Sequence, residues 1–309
     1  MQCLEVWGGN QATNNGVVMP GLDAWVFSRP YEDDDAGGDI HYVSSCATGR
    51  IIRVLVADVS GHGSQVAKVA GSLRNLMRRY VNFVDQTRVV RGLNTEFASL
   101  AEQGSFATAV VATFWAPTDN LVITNAGHPR PLWYRARNRA WEYLDQRAPS
   151  SSAGPSNIPL GIAEPTLYDE VSIHLGPGDL VLIYTDSLLE ARDRDGRLLG
   201  EAGLRDLVGQ FDPANPDELI RSLLTRLEAI SGRPPDDDVT ALLLRPNALK
   251  PRGSILTGLK AGLFMTGAFL GSLRPGGQPF PWPELGLTNL AGAFVSRLNR
   301  RIGRKSTRG

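Results

Sequence analysis

The sequence predicts an α+β fold. Segments with the apolar runs of β-strands outnumber segments with the 3.6-residue period of helices, and the two kinds do not alternate along the chain. Strands that follow one another directly favour antiparallel pairing, whereas a doubly wound parallel sheet needs a helix after each strand. The chain has 309 residues, of which 42% are hydrophobic and 21% charged, so it is long enough for an ordinary globular core.

The first half of the chain is predicted to hold two helices among seven strands. The strand over 50–58 is the clearest of these, because it is a nearly continuous run of isoleucine, valine and leucine. After it, apolar residues recur every three or four positions, which predicts helices over 64–80 and 87–101. The predicted strands are 22–28, 39–46, 50–58, 108–115, 121–126, 130–134 and 140–144.

The second half of the chain is predicted to hold two further helices and three strands. Residues 147–157 are rich in serine, proline and glycine, which is typical of a surface loop. Beyond it we predict strands over 170–174, 179–184 and 239–244 and helices over 201–210 and 216–231. We divide the chain into an N-terminal extension (1–21), a central domain (22–247) and a C-terminal tail (248–309).

The charge is distributed unevenly, although the formal net charge is zero. Residues 251–309 carry nine Lys and Arg against one acidic residue, whereas residues 1–250 carry 23 against 31. A basic tail on an acidic body suggests an anionic partner surface, with a solvated tail as the alternative. The body has no basic patch with interleaved aromatic residues, so we expect no nucleic-acid partner. Two cysteines, Cys3 and Cys46, indicate neither a disulfide scaffold nor a metal site.

The tail is the least ordinary segment. Its longest uncharged apolar run, 261–273, has 13 residues, which is too short for a transmembrane helix. Residues 290–305 form a basic amphipathic pattern that suits a membrane interface, the central domain or a dimer mate. These alternatives, and disorder, stay open. Met1 begins no secretory signal pattern. We therefore expect a cytoplasmic protein, with membrane association through 255–305 as one alternative.

Four aspartates carry the chemical argument. Each lies in a short turn that contains small residues and adjoins a predicted strand. Carboxylates are the ligands that Mg²⁺ and Mn²⁺ prefer, and two such ions can clamp a phosphoryl group and lower the pKa of water. A turn or capping role explains any one of them equally well, but four together favour a metal-dependent phosphatase. They are Asp39, Asp58, Asp186 and Asp237.

Six short motifs resemble one family in order and rough spacing. The chain resembles the metal-dependent protein phosphatase (PPM) family, in the bacterial branch typified by the stage II sporulation protein E phosphatase domain, over about residues 22–245. The resemblance implies an αββα four-layer sandwich of two antiparallel sheets with the metal site at one end. The motifs are Gly37-Gly38-Asp39, the stretch from Ala57 to Gly63, Asn125-Ala126-Gly127-His128-Pro129, Pro159-Leu160-Gly161, Tyr184-Thr185-Asp186 and Asp237-Asp238-Val239-Thr240.

The resemblance also implies roles for single residues. Asp58 would bridge two Mg²⁺ or Mn²⁺ ions, and the carbonyl of Val59 would be a further ligand. Asp186 and Asp237 would complete the dinuclear centre, while Asp39 would bind directly or through water. Asp236 and Asp238 are expected outside the ligand set.

Histidines and one serine raise separate questions. His62 follows the metal aspartate and could donate a proton to the leaving seryl oxygen, so it is a candidate general acid. His128 is expected to brace the site. Ser187 stands where relatives commonly have glycine, so it could strain that turn.

The expected function is a protein serine/threonine phosphatase that uses a metal-activated water. Its expected substrate is a regulatory phosphoprotein, such as an anti-sigma-factor antagonist. The alternative is a catalytically weak pseudophosphatase that binds a phosphoprotein as a scaffold.

Overall fold

The computed structural model describes residues 3–46, 48–61, 64–100, 105–144 and 156–251. Within these ranges two six-stranded antiparallel sheets stack face to face. The first sheet has the order β1-β4-β5-β6-β7-β10 and the second has the order β2-β3-β12-β11-β8-β9. The strands are β1 (Cys3–Gly9), β2 (Thr13–Met19), β3 (Leu22–Arg29), β4 (Asp39–Cys46), β5 (Ile51–Val59), β6 (Ala107–Trp115), β7 (Asn120–Ala126), β8 (Leu132–Arg135), β9 (Ala140–Tyr143), β10 (Val171–His174), β11 (Leu180–Tyr184) and β12 (Val239–Pro246).

Helices cover the outer face of each sheet. Two long helices, α1 (Ser64–Tyr80) and α2 (Gln86–Leu100), pack on the first sheet. The second sheet is covered by α3 (Ser187–Glu190), α4 (Gly200–Val208) and α5 (Pro216–Ser231). The predicted α+β class and the four-layer αββα sandwich are therefore confirmed.

Strand alternation explains why both sheets are buried on both faces. In β5, Val54 and Val56 point into the core between the sheets, whereas Leu55 and Ala57 face the two long helices. In β12 the even-numbered leucines likewise face the first sheet, and the odd-numbered residues face α4 and α5. Because successive side chains of a strand point to opposite faces, both inner strands need mainly apolar side chains, as the sequence shows.

The predicted elements match observed ones closely. Each predicted strand or helix overlaps an observed element, and its ends are displaced by at most two residues. Helix α3 was not predicted, because four residues are too few to display a helical period. The segment 147–157 lies mostly outside the described residues.

The N-terminal segment takes part in the sandwich. Residues 1–21 were expected to precede the domain, but β1 pairs with β4 and β2 pairs with β3, so one strand extends each sheet. The sequence signal is weak because both are edge strands, and β2 leaves most of its polar side chains exposed. At the other end, the predicted tail lies outside the described residues from 252 onward. In the part of the chain that the structure describes, no helix is long and apolar enough to cross a membrane.

Candidate metal centre

Asp39 and Asp58 lie side by side at one end of the first sheet. Asp39 is the first residue of β4, and it pairs directly with Asp58 near the end of β5. Side chains of directly opposed residues in antiparallel strands have Cβ atoms about 5 Å apart. Asp39 is only 3% exposed. The register of β4 and β5 therefore brings two of the predicted carboxylates together.

The second sheet brings the other two aspartates to the same end. Strand β11 ends at Tyr184, two residues before Asp186, and β12 begins at Val239, two residues after Asp237. The two strands are antiparallel neighbours, so the end of one lies beside the start of the other. Asp186 and Asp237 both raise the pKa of Asp58 by charge repulsion. All four predicted aspartates thus share one electrostatic environment across the two sheets.

Burial and mutual repulsion disfavour ionisation of these groups. Burial and then the Asp58 charge raise the pKa of Asp39 well above its ordinary value. The pKa of Asp58 is raised to about 7, by burial first and then by Asp186, Asp237 and other carboxylates. Burial, Glu190 and Asp237 raise the pKa of Asp186. A cluster of this kind is stable as carboxylates only if cations balance it.

The oxygen-only donor set suits a hard divalent cation. Carboxylates and a backbone carbonyl are the donors that Mg²⁺ and Mn²⁺ prefer, and no histidine or cysteine thiolate of the described residues joins the four aspartates. Among those residues, no three acidic, histidine or cysteine side chains converge as a finished coordination sphere.

A threonine links the two sheets at Asp39. The Oγ1 atom of Thr185, which follows β11, donates a hydrogen bond to Oδ2 of Asp39 at 2.8 Å. Oγ1 of Thr185 also accepts a hydrogen bond from the backbone N–H of Thr240 at 2.9 Å. Thr185 is fully buried. Asp39 is therefore held by a side chain of the opposite sheet.

Asp238 forms a second link between the sheets, but its contacts are with backbone. Its Oδ1 accepts a hydrogen bond from the N–H of Tyr31 at 2.7 Å, and its Oδ2 accepts one from the N–H of Gly38 at 2.5 Å. The N–H of Asp39 lies 3.3 Å from the same Oδ2. These contacts occupy the Asp238 carboxylate and shape the turn that leads into β4.

Two glycines make this turn possible. A Cβ atom on Gly37 would lie 2.3 Å from Oδ2 of Asp238, and one on Gly38 would lie 3.0 Å from the carbonyl oxygen of Val59. Neither position has room for a side chain without displacing the turn. The Val59 carbonyl, a predicted ligand, lies beside this same turn.

His128 braces the strand next to Asp58. Its Nδ1 lies 2.8 Å from Oγ1 of Thr108, and Thr108 is paired with Asp58 in the β5–β6 ladder. The side chain of Asn125 accepts a hydrogen bond from the His128 N–H and donates one to its carbonyl, at 2.7 Å each. Burial lowers the pKa of His128 to about 3, so the ring is neutral at physiological pH.

Three further residues complete the account of the site. Ser187 is the first residue of α3 and adopts helical backbone geometry, so its position does not require glycine. His62 lies outside the described residues. Glu190, which was not predicted as a site residue, raises the pKa values of both Asp58 and Asp186 by charge repulsion.

A comparison with models of protein families identifies the family of this chain. Residues 48–247 match the model of the stage II sporulation protein E (SpoIIE) family. The chain belongs to the SpoIIE family. The predicted PPM-type, SpoIIE-like phosphatase is thereby confirmed as the kind of enzyme, and metal dependence is general among such phosphatases.

One curated relative is the phosphoserine phosphatase RsbU of Bacillus subtilis (strain 168). The two sequences are 22% identical over 246 residues, which cover 78% of this chain and 69% of the relative.

Solved structures support the fold independently of the family model. The RsbU and RsbW domains of Rv1364c from Mycobacterium tuberculosis are similar, with a TM-score of 0.62 at 24% identity, over 85% of this chain and 76% of that one. The PP2C phosphatase domain of SpoIIE from Bacillus subtilis was solved with a fragment of its regulatory domain. It is similar with a TM-score of 0.62 at 14% identity, over 74% of this chain and 64% of that one. At such low identities these likenesses concern the fold.

Proposed function

We propose that this SpoIIE-family member hydrolyses phosphoserine or phosphothreonine on a regulatory protein with the help of two Mg²⁺ or Mn²⁺ ions. The observation that carries the proposal is geometric: Asp39 and Asp58 pair in the first sheet, and Asp186 and Asp237 adjoin neighbouring strand ends of the second. The similarity to a phosphoserine phosphatase supports the same reaction.

Each aspartate has a proposed task. Asp58 pairs with Asp39 in the first sheet and would bridge the two ions, and the Val59 carbonyl would add a ligand. Asp186 and Asp237 would hold the ions from the second sheet. Asp39 would bind directly or through water, oriented by Thr185. When bound, the ions supply Lewis acidity towards the phosphoryl oxygens and lower the pKa of water.

Other residues of this chain position that centre. Asp238 fixes the backbone at the start of β4, and His128 holds the strand that pairs with Asp58. His62 is proposed as the group that returns a proton to the seryl oxygen as it leaves. No cysteine nucleophile is required, which agrees with the single described free thiol, Cys46, being buried in the core.

The proposed substrate is a phosphorylated anti-sigma-factor antagonist. This follows from the branch of the family that the motifs resemble and from the likeness to RsbU. The segment 252–309 would contribute a membrane or dimer contact under the same proposal.

The test is Mn²⁺-dependent hydrolysis of an aryl phosphate and of a phosphoserine protein by the full chain. Asp58→Asn and Asp237→Asn should each reduce kcat/KM by more than about 100-fold, because even residues that merely orient metal ligands cost 10–100-fold. Asp236→Asn is the matched control and should retain activity. Absence of metal-dependent turnover in the unmodified protein would favour the pseudophosphatase scaffold instead.

A further inference from the structure

A cavity of about 120 Å³ opens beside the candidate metal centre. It lies between α3, the C-terminal part of α5 and the loop that leads into β12. Asp237 and Ser187 line it, and Ser187 directly follows Asp186. The cavity is therefore continuous with the proposed reaction site, and a chain bound at that site would pass over it.

The floor of the cavity is apolar. Leu188, Leu224, Leu227 and Val239 all line it, and each is at most 7% exposed. These side chains belong to the cluster that joins the second sheet to its helices. An aliphatic group placed here would contact the core of the domain, and burial of such a group is favourable.

The charged rim is largely neutralised within itself. Arg29 pairs with Glu228 at 2.9 Å, and Arg233 pairs with Asp236 at 2.6 Å. Arg192 donates from Nη1 to the carbonyl of Gly196 at 2.9 Å. Glu190 and Asp237 also line the cavity, so its rim has four acidic side chains against three arginines and does not favour an acidic ligand. The apolar floor is then left to select the side chain that binds.

The size of the cavity sets the size of the ligand. An apolar cavity of about 150 Å³ is known to accept a benzene ring. A volume of about 120 Å³ therefore fits one branched aliphatic side chain. Asp237 lines the cavity and is also a proposed metal ligand, so we place that side chain within about three residues of the phosphorylated one, a span of about 10 Å in an extended chain.

We propose that this cavity binds a leucine-like side chain of the phosphoprotein substrate, within about three residues of the phosphorylated serine or threonine. The inference rests on the proposed phosphatase function and specifies its substrate. The cavity would act as a specificity pocket, and it would leave the chemistry to the aspartates.

The test compares two phosphoserine peptides with the Mn²⁺-loaded full chain. They share length and net charge, and one has leucine where the other has glycine within three positions of the phosphoserine. The leucine peptide should have a kcat/KM about 10- to 100-fold higher, the ratio expected for burying one aliphatic side chain. Equal values for the two peptides would overturn the proposal.

Two filling variants locate the effect. Ser231→Trp places a large ring in the cavity from α5, and Ala191→Met fills it from the opposite wall. Each should reduce the ratio of the two kcat/KM values to about 1. This ratio does not depend on how much of a preparation is folded. Ala229→Trp, an exposed position on the same helix outside the cavity, should keep the wild-type ratio.

Failure of the pocket and failure of the proposed function give different results. If the wild-type chain hydrolyses an aryl phosphate but does not distinguish the peptides, the pocket proposal is wrong and the phosphatase proposal stands. If no substrate is hydrolysed, fluorescence anisotropy of the labelled peptides decides. Tighter binding of the leucine peptide that Ser231→Trp abolishes would support the pocket, and equal binding would refute it.

Discussion

Thr185 donates a hydrogen bond from Oγ1 to Oδ2 of Asp39 at 2.8 Å, and this bond joins the second sheet to the first at the candidate metal centre. The same hydroxyl accepts from the N–H of Thr240, so it serves as donor and acceptor at once. A buried hydroxyl with both capacities used cannot be replaced by an apolar group without leaving polar atoms unpaired.

We expect Thr185→Val to lower the free energy of unfolding by about 1–3 kcal/mol, because it leaves a buried carboxylate and a backbone N–H without their partner. Thr185→Ser keeps the hydroxyl and should cost clearly less. Urea denaturation of both variants measures the difference. A loss in Thr185→Ser as large as the loss in Thr185→Val would contradict the role of the hydrogen bond.

Asp238 is expected to be structurally essential, whereas its neighbour Asp236 is not. Asp238→Ala removes the acceptor for the N–H groups of Tyr31 and Gly38 and should cost about 1.5–3 kcal/mol, as is usual for hydrogen bonds to a charged group. Asp236→Ala breaks only an exposed pair with Arg233 and should cost less than about 1 kcal/mol. Thermal and urea unfolding of the two variants should therefore separate them, and a similar loss in both would contradict the role of Asp238.

Glycine-to-alanine substitutions at two positions should have opposite signs. Gly37→Ala would place a Cβ atom 2.3 Å from Oδ2 of Asp238, so it should destabilise the protein and disturb the turn before Asp39. Gly71→Ala lies inside α1 with no atom within 4 Å of the new Cβ, so it should stabilise the protein by about 0.4–1 kcal/mol. Midpoints of denaturation give both signs directly. Stabilisation by Gly37→Ala would show that the turn is loosely held.

The buried His128 predicts a loss of stability in acid. Its pKa is about 3 in the folded protein, against an ordinary value of 6.5, so between these values the unfolded chain binds the extra proton. Burial of His128 therefore costs no stability above pH 6.5. As the pH falls towards 3, it lowers the free energy of unfolding by about 1.4 kcal/mol per pH unit at 25 °C.

His128→Gln removes this titration, so its unfolding free energy should fall less steeply over that range than the wild-type value. Denaturation curves at several pH values give the two slopes. Parallel slopes would mean that the folded protein accepts a proton on His128 near its ordinary pKa.

Much of the fold was predictable because its strands and helices are long and strongly patterned. Strand β5 and helix α1 were located within two residues, since an apolar run and a helical period are local signals. Strands β1 and β2, which pair with β4 and β3, were not predicted. Edge strands bury little apolar surface, and polar residues interrupt the alternating pattern.

Only part of the candidate site could be predicted from the sequence. The four aspartates stand in motifs, so they were found from sequence alone, and the structure brings them to one end of the sandwich. The contacts of Asp238 with Tyr31 and Gly38 join residues about 200 positions apart, and no local pattern encodes such a contact. Glu190 was missed for the same reason, because its influence depends on how α3 packs.

The placement of the aspartates has a consequence for the lifetime of the enzyme. Asp39 and Asp58 belong to one sheet, whereas Asp186 and Asp237 adjoin the other, so ions bound between the two pairs would link the sheets reversibly. An ion present at 100 times its dissociation constant would add about 2.7 kcal/mol to the stability of the folded state. Depletion of the ion would then both stop turnover and expose the protein to proteolysis.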